Sequence, residues 1–149
     1  IIGVEPMPYS GIPDMKKGWA VVKAADCENA KLIMDTWHWV RADQPYDILT
    51  KEIGEKVVSI QINDAYERPY AASVLRDESM HDRLAPGTGA KDTVGFVKMI
   101  KEAGVSPRAV GVEVISDAIV AKGLKEAASL TYDNTVKVLK EAWPELLED

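Results

Sequence analysis

The sequence predicts an α/β fold, and within that class about four β/α units of a (β/α)₈ barrel. Four short apolar runs rich in β-branched residues are each followed by a helical pattern, which is typical of parallel β/α architecture. Three of these runs end in an acidic residue and the other ends in a glutamine. Strand ends converge on one axis in a closed barrel, where enzymes build their sites, whereas in an open sheet they would lie in a row.

The individual elements follow from local patterns. The predicted strands are nearly continuous apolar runs, as expected for strands buried on both faces, and they cover residues 1–4, 31–35, 57–62 and 109–115. The predicted helices combine an apolar face with a capping or breaking residue, and they cover residues 14–25, 46–53, 92–104 and 124–142. Pro13 is expected at the first position of the first helix. Residues 63–91 are predicted to form a long polar loop, and loops of that length are usually functional or disordered.

The composition argues against several classes of protein. The 149 residues carry a net charge of −6 with scattered Lys and Arg, so we expect neither nucleic acid nor an anionic membrane as a partner. No apolar run approaches the roughly 20 residues that a membrane span requires. Cys27 is the single cysteine and has no internal disulfide partner, which favours a reducing, cytoplasmic location. The chain starts at Ile1, inside a predicted strand, so we expect that an upstream portion of the protein precedes it.

Five segments carry a resemblance to a known family when they are taken in order along the chain. They are VEPMP (4–8), LIMDTWH (32–38), IQIND (60–64), HDRLAPGTG (81–89) and GVEV (111–114). Together they resemble the last four β/α units of the xylose isomerase-like TIM barrel superfamily, which includes sugar phosphate isomerases and epimerases and endonuclease IV. The resemblance covers essentially the whole chain. It implies one domain, residues 1–149, that forms the C-terminal half of the barrel and has the N-terminal half of the same barrel as its partner.

The resemblance implies a metal site at the strand ends. Its ligands would be Glu5, Asp35, Gln61 and Glu113, because the family holds its metal with residues from the ends of the last four strands. The family usually has a histidine at the position of Gln61, although an amide oxygen can also ligate a metal. Three carboxylates and an amide oxygen favour Mn²⁺, with Mg²⁺ or Co²⁺ as alternatives, over Zn²⁺.

The same resemblance implies a reaction and the residues that carry it. In ketose epimerases of the family, the glutamates that match Glu5 and Glu113 both ligate the metal and move a proton next to a sugar carbonyl. The reaction passes through an enediolate, whose charge the metal stabilises. Either Trp37 or Trp39 is expected to wall the substrate pocket, while the other packs outside. The predicted substrate-binding residues are Trp37, His38, His81 and Arg83.

The favoured function is a metal-dependent isomerase or epimerase acting on a sugar or a related polyhydroxy carbonyl compound, in a protein that we expect to be a homo-oligomer. The alternative is a lyase, similar to inosose dehydratase or to C-glycoside deglycosidases, because the same enediolate can expel a β-leaving group. A DNA-repair endonuclease would need a histidine-rich three-zinc site and a basic groove, whereas this chain has two histidines and a negative net charge. A non-enzymatic barrel is disfavoured because four strand-end ligand candidates are retained.

Overall fold

Four parallel strands form one sheet in a computed structural model of the protein, which describes residues 1–67 and 74–148. The strands pair in chain order, each with the next, and they are β1 (Ile2–Val4), β2 (Ala30–Asp35), β3 (Val57–Ile62) and β4 (Ala109–Val112). Helical segments connect consecutive strands, so the parallel β/α architecture predicted from the sequence is confirmed. Because the strands are parallel, their C-terminal ends lie at the same edge of the sheet.

The α-helices alternate with these strands and follow the last of them. In chain order they are α1 (Met15–Ala25), α2 (Thr36–Arg41), α3 (Lys51–Gly54), α4 (Leu75–His81), α5 (Thr93–Glu102), α6 (Asp117–Val120) and α7 (Leu124–Ala142). Short 3-10 helices cover Tyr46–Ile48 and Pro144–Leu147. None of the helices in the described ranges has the length and apolar composition that crossing a membrane requires.

The main core lies between the sheet and the helices. Leu32 and Ile60 are fully buried on one face of the sheet, where they share a cluster with apolar side chains of α5 and α7. Residues that alternate with them, Ile33, Ser59 and Gln61, are only partly buried. This second face carries polar groups, and in a closed barrel it is the face that points to the barrel axis.

The strands and helices α1, α5 and α7 lie where the sequence predicts them, with differences at their ends, whereas the helix predicted over residues 46–53 is a 3-10 helix (Tyr46–Ile48) followed by the separate short helix α3 (Lys51–Gly54). Asp14 caps α1 by accepting a backbone hydrogen bond, so Pro13 precedes the helix instead of opening it. β4 ends at Val112, earlier than the predicted end at residue 115. The carbonyl of Ile115 accepts a hydrogen bond from the backbone N–H of Arg83. Beyond β4 the backbone thus pairs with the segment that follows α4.

The prediction of a loop over residues 63–91 is wrong in one part, because that stretch contains α4 (Leu75–His81). Residues 68–73 of the predicted loop lie outside the described residues. The buried positions of α4 are Leu75, Glu78 and Ser79, so its inward face is mostly polar and shows no apolar periodicity. The sequence also does not reveal α2, which begins directly after β2.

Candidate metal centre and active site

Ligand-type side chains meet at the C-terminal edge of the sheet. Glu5 follows β1, Asp35 is the last residue of β2, and Glu113 follows β4. His38 joins them from the first turn of α2. One ligand atom from each of these four side chains lies within 4.8 Å of the others, so the four groups could hold one metal ion.

Asp35 is held in place by hydrogen bonds to both of its carboxylate oxygens. Its Oδ1 accepts a 2.9 Å bond from the backbone N–H of His38, which makes Asp35 the N-cap of α2. Its Oδ2 accepts bonds from Nδ2 of Asn63 (2.7 Å) and Nη1 of Arg83 (2.9 Å). Since the side chain is also buried, protein contacts fix the orientation of this carboxylate.

Gln61 lies beside Asp35 on the neighbouring strand. The two residues are paired in the register of β2 and β3, so their side chains share one face of the sheet. Oε1 of Gln61 is buried and makes no hydrogen bond, and the same is true of Oε1 of Glu5. Buried oxygens without a partner are costly in free energy, and a cation would satisfy them. The residues present therefore fit a divalent metal with carboxylate and amide oxygens as ligands.

His38 lies inside this cluster. Its Nε2 is 3.3 Å from Oε1 of Glu5, within ion-pair distance but outside hydrogen-bond geometry, while its Nδ1 is buried without a hydrogen bond. The rings of Trp37 and Tyr9 approach it edge to face, with centroids 5.3 and 5.8 Å from that of the imidazole. His38 can therefore reach either a metal or a substrate, and its substrate role stays a prediction.

Arg83 reaches into the cluster from the end of α4. Its Nη1 donates to Oδ2 of Asp35 at 2.9 Å and to Oε2 of Glu113 at 2.8 Å. Its Nε and Nη2 donate to the backbone carbonyl and the hydroxyl of Ser79, and that hydroxyl also bonds to the hydroxyl of Tyr9 at 3.1 Å. No sequence signal indicates Ser79, because the helix that carries it has a polar inward face.

Glu113 differs electrostatically from an ordinary surface glutamate. Burial raises the pKa of its carboxyl group, Arg83 opposes the rise, and the negative charges of Asp35 and Glu5 add to it. In the absence of metal, a carboxylate with a raised pKa is a stronger base than that of an ordinary glutamate. Glu113 is therefore suited to taking up and returning a proton.

The remaining predicted substrate-binding residues lie around the cluster at different depths. Trp37 is fully buried, and its indole N–H donates a 3.1 Å hydrogen bond to Oε1 of Glu78. Trp39 packs in the main core. The side chain of His81 is 56% exposed, and its Nδ1 lies 3.2 Å from Oδ2 of Asp117. Trp37 thus packs beside the site, whereas His81 lies at the surface next to α6.

Asn63 is a site residue that sequence reasoning missed. It is fully buried, and its Nδ2 donates to Oδ2 of Asp35 and, at 3.2 Å, to the backbone carbonyl of Glu113. Its place two residues after Gln61 puts it on the same side of the chain that leaves β3. That alternation is the signal that could have revealed it.

Asp64, two residues after β3, holds the loop that contains Gly89 and Lys91 against the end of this strand. Its carboxylate accepts hydrogen bonds from the backbone N–H groups of Ala65, Gly89 and Lys91. A Cβ added at Gly89 would lie 2.4 Å from Oδ1 of Asp64 and 2.5 Å from the carbonyl oxygen of Ala65. Glycine is therefore required where the loop approaches this carboxylate.

Comparisons with known proteins agree with this architecture. Residues 1–142 match the family model described as Xylose isomerase-like TIM barrel. A crystal structure of the IOLI protein with a bound zinc atom has a TM-score of 0.82 and 24% sequence identity to this chain. The match covers 95% of this chain and 50% of that one. The prediction that this chain forms part of a TIM barrel is confirmed.

Two curated relatives are named as enzymes. A 3-dehydroshikimate dehydratase from Pseudomonas aeruginosa is 30% identical over 104 residues, which cover 69% of this chain and 16% of the relative. An inosose isomerase from Bacillus licheniformis is 25% identical over 134 residues, which cover 90% of this chain and 46% of the relative. This chain therefore spans less than half the length of each relative.

Proposed function

The chain belongs to the xylose isomerase-like TIM barrel family, and on this basis we propose that it contributes the metal centre of a sugar isomerase or epimerase. The substrate would be a sugar or a related polyhydroxy carbonyl compound. The observation that carries the proposal is the convergence of Glu5, Asp35 and Glu113, together with the buried Oε1 atoms of Glu5 and Gln61, which make no hydrogen bond. The inosose isomerase that matches 90% of this chain supports the same class of reaction.

The proposed metal ligands are Glu5, Asp35, Gln61 and Glu113, and His38, which lies within reach of the three carboxylates, is assigned to the substrate. Zinc in the structurally similar IOLI protein supports a divalent ion. The oxygen-rich ligand set of this chain favours Mn²⁺, with Mg²⁺ or Co²⁺ as alternatives. When bound, such an ion supplies a Lewis acid that stabilises negative charge on a carbonyl oxygen and a neighbouring hydroxyl oxygen.

Glu113 and Glu5 are the proposed proton-transfer groups. They follow the two edge strands of the sheet, β4 and β1, so they flank the two proposed ligands on the central strands. Glu113, whose pKa is raised by burial, takes a proton from the carbon next to the carbonyl. Glu5 takes up a proton from solvent and returns it to that carbon from the other side, and Glu113 releases to solvent the proton that it removed. Positioned proton transfer of this kind contributes about 10²–10⁴-fold to the rate.

The proposed substrate contacts surround these two glutamates. Nε2 of His38 faces Glu5, so it can bind the oxygen next to the reacting carbon. Trp37 packs edge to face against the ring of His38 and limits its movement. Arg83 and His81 complete the proposed set, and for these two the support is the family resemblance.

A dehydratase is the second candidate, because the relative with 30% identity is named a 3-dehydroshikimate dehydratase. The chemistry begins in the same way, with removal of a proton from the carbon next to a carbonyl. If the adjacent carbon carries a hydroxyl group, that group then leaves with a proton as water, and a C=C bond forms. Glu113 can act as the base in either reaction.

The mass and isotope content of the product separate these two functions. The protein is incubated in D₂O with Mn²⁺ and either inosose or 3-dehydroshikimate. An isomerase or epimerase gives an isomer of the substrate with deuterium at the reacting carbon, whereas a dehydratase gives a product that lacks one water. Two results together contradict the proposal. Neither compound reacts or exchanges a proton with solvent, and calorimetry detects no Mn²⁺ bound to the protein.

A further inference from the structure

The guanidinium group of Arg83 lies among the carboxylates of the proposed metal centre. Arg83 is 2% exposed, and it contacts Asp35 and Glu113, two of the three carboxylates in the cluster. Asp35 is buried whereas the side chain of Glu113 is 33% exposed, so solvent screens the charge of Arg83 little at Asp35 and partly at Glu113. Arg83 therefore contributes directly to the electrostatic potential at this centre.

The protein fixes the position of this guanidinium group. Its Nε and Nη2 each donate a 2.8 Å hydrogen bond to Ser79, and Nη2 also lies 3.4 Å from Nε2 of His38. Its Nη1 is shared by the two carboxylates. Each of the three nitrogens thus has a protein partner, so a substrate contact would require Arg83 to give up one of these bonds.

The formal charge of the centre follows from its residues. With a metal ion bound, Glu5, Asp35 and Glu113 are ionised and contribute three negative charges, Arg83 contributes one positive charge and neutral His38 contributes none, which leaves −2. Gln61 adds no charge because it is an amide. Buried charges are tolerated when they are balanced, and −2 is balanced by a divalent cation. Without Arg83, the same three carboxylates would match a trivalent cation.

We propose that Arg83 is a positioning residue that sets the charge of the metal centre and thereby its preference for divalent over trivalent cations. The inference rests on the proposed metal site. It assigns to Arg83 a role distinct from the substrate contact that family resemblance implies. A substrate anchor would affect KM, whereas a charge-setting residue changes cation preference in the absence of any substrate.

The test compares the affinities of the protein for Mn²⁺ and for Tb³⁺, a trivalent probe, without substrate. Calorimetry gives the Kd of Mn²⁺, and a luminescence titration gives the Kd of Tb³⁺. Arg83→Met should raise the preference for Tb³⁺ over Mn²⁺ by about tenfold or more, because it removes one nearby positive charge. Arg83→Lys keeps the charge and should keep the wild-type preference, even if both affinities fall. Arg108→Met is the matched control, since Arg108 is exposed and directly precedes β4, at the opposite end of the sheet.

The outcomes distinguish this inference from the proposed function. If the wild-type protein binds both ions and Arg83→Met leaves their relative affinity unchanged, the role of Arg83 is wrong while the metal site stands. The same conclusion holds if Arg108→Met changes the preference equally. If the wild-type protein binds neither ion, the metal site itself fails, and the inference fails with it. Should circular dichroism show that Arg83→Met does not fold, the neutral variant Arg83→Gln, which retains a donor for Asp35, replaces it.

Discussion

Nδ2 of Asn63 donates a 2.7 Å hydrogen bond to Oδ2 of Asp35. Both side chains are almost fully buried, and the same amide nitrogen also donates to the backbone carbonyl of Glu113. Asn63 therefore orients one proposed metal ligand and links it to the chain segment that carries another. Outer contacts of this kind commonly tune metal affinity.

We expect Asn63→Ala to lower the affinity for Mn²⁺ by about 10- to 100-fold, because Asp35 loses a hydrogen bond that fixes its orientation. Isothermal titration calorimetry measures the change. Asn134→Ala is the matched control, since Nδ2 of Asn134 donates to the carbonyl of Leu130 within α7. Equal Mn²⁺ affinities for Asn63→Ala and the wild-type protein would show that Asp35 does not need this bond.

Gln61→His should keep metal binding but shift the preference from Mn²⁺ towards Zn²⁺, because imidazole is a softer ligand than an amide oxygen. Competition between the two ions, read by calorimetry, measures the shift. Ser59→Ala is the control, because Ser59 lies two residues earlier on the same face of β3. If Gln61→His and Ser59→Ala show the same preference as the wild-type protein, Gln61 is not a ligand.

The raised pKa of Glu113 predicts opposite pH effects on stability and on metal affinity. Without metal, protonated Glu113 contributes stability that is fully present below the ordinary carboxyl pKa and is lost as pH rises through the raised value. Metal binding needs the ionised carboxylate, so affinity for Mn²⁺ should rise over the same interval. Calorimetric titrations between about pH 4 and 8 measure this rise. In Glu113→Gln the rise should flatten, and an unchanged profile would remove Glu113 from the ligand set.

Gly89→Ala should destabilise the protein by about 1–3 kcal/mol, because the added methyl group overlaps a carboxylate and a carbonyl oxygen. The clash is with Oδ1 of Asp64 at 2.4 Å and the carbonyl of Ala65 at 2.5 Å. Urea unfolding gives the free energy of unfolding. Gly11→Ala is the control, since nothing lies within 4 Å of its added Cβ. Equal unfolding free energies for the two variants would mean that the loop moves away from Asp64 at little cost.

The polar residues at the strand ends were predictable from sequence because they depend on local signals, although β4 ends before the predicted residue 115. An apolar run fixes each strand, and the polar residue that ends it, such as Asp35, must lie at the C-terminal edge of a parallel sheet. The contact between Nε2 of His38 and Glu5 was not predictable, because it depends on α2 starting directly at the cap of Asp35. Because Asp35 is both the last residue of β2 and the N-cap of α2, no turn residues between the two elements indicate where the helix begins.

The environment of Arg83 was beyond sequence reasoning for a different reason. It depends on α4, whose buried face includes Glu78 and Ser79, so the usual apolar spacing is absent. The buried Oε1 of Glu78 accepts hydrogen bonds from Trp37 and from Nε of Arg41, which replace apolar packing at this helix. Polar partners from distant segments therefore stabilise α4, and one sequence cannot reveal such pairings.

Glu5 and Glu113 follow opposite edge strands, and epimerisation requires that two such groups address opposite faces of one bound carbon. Glu5→Gln and Glu113→Gln keep the size of the side chain but remove the base, so each should lower kcat by about 10²–10⁴-fold. With substrate in D₂O, the wild-type protein should place deuterium at the reacting carbon.

The two variants should differ in what they retain, because only one glutamate abstracts the first proton. Glu5→Gln keeps Glu113, the group with the raised pKa, and should still exchange the substrate proton with D₂O without completing the reaction. Glu113→Gln should lose exchange and turnover together, provided that both variants are loaded with Mn²⁺ to the same occupancy. Normal turnover by both, or product from the wild-type protein without solvent deuterium, would rule out carboxylate proton transfer. A hydride shift between neighbouring carbons would then account for the reaction, since it moves hydrogen without exchange with solvent.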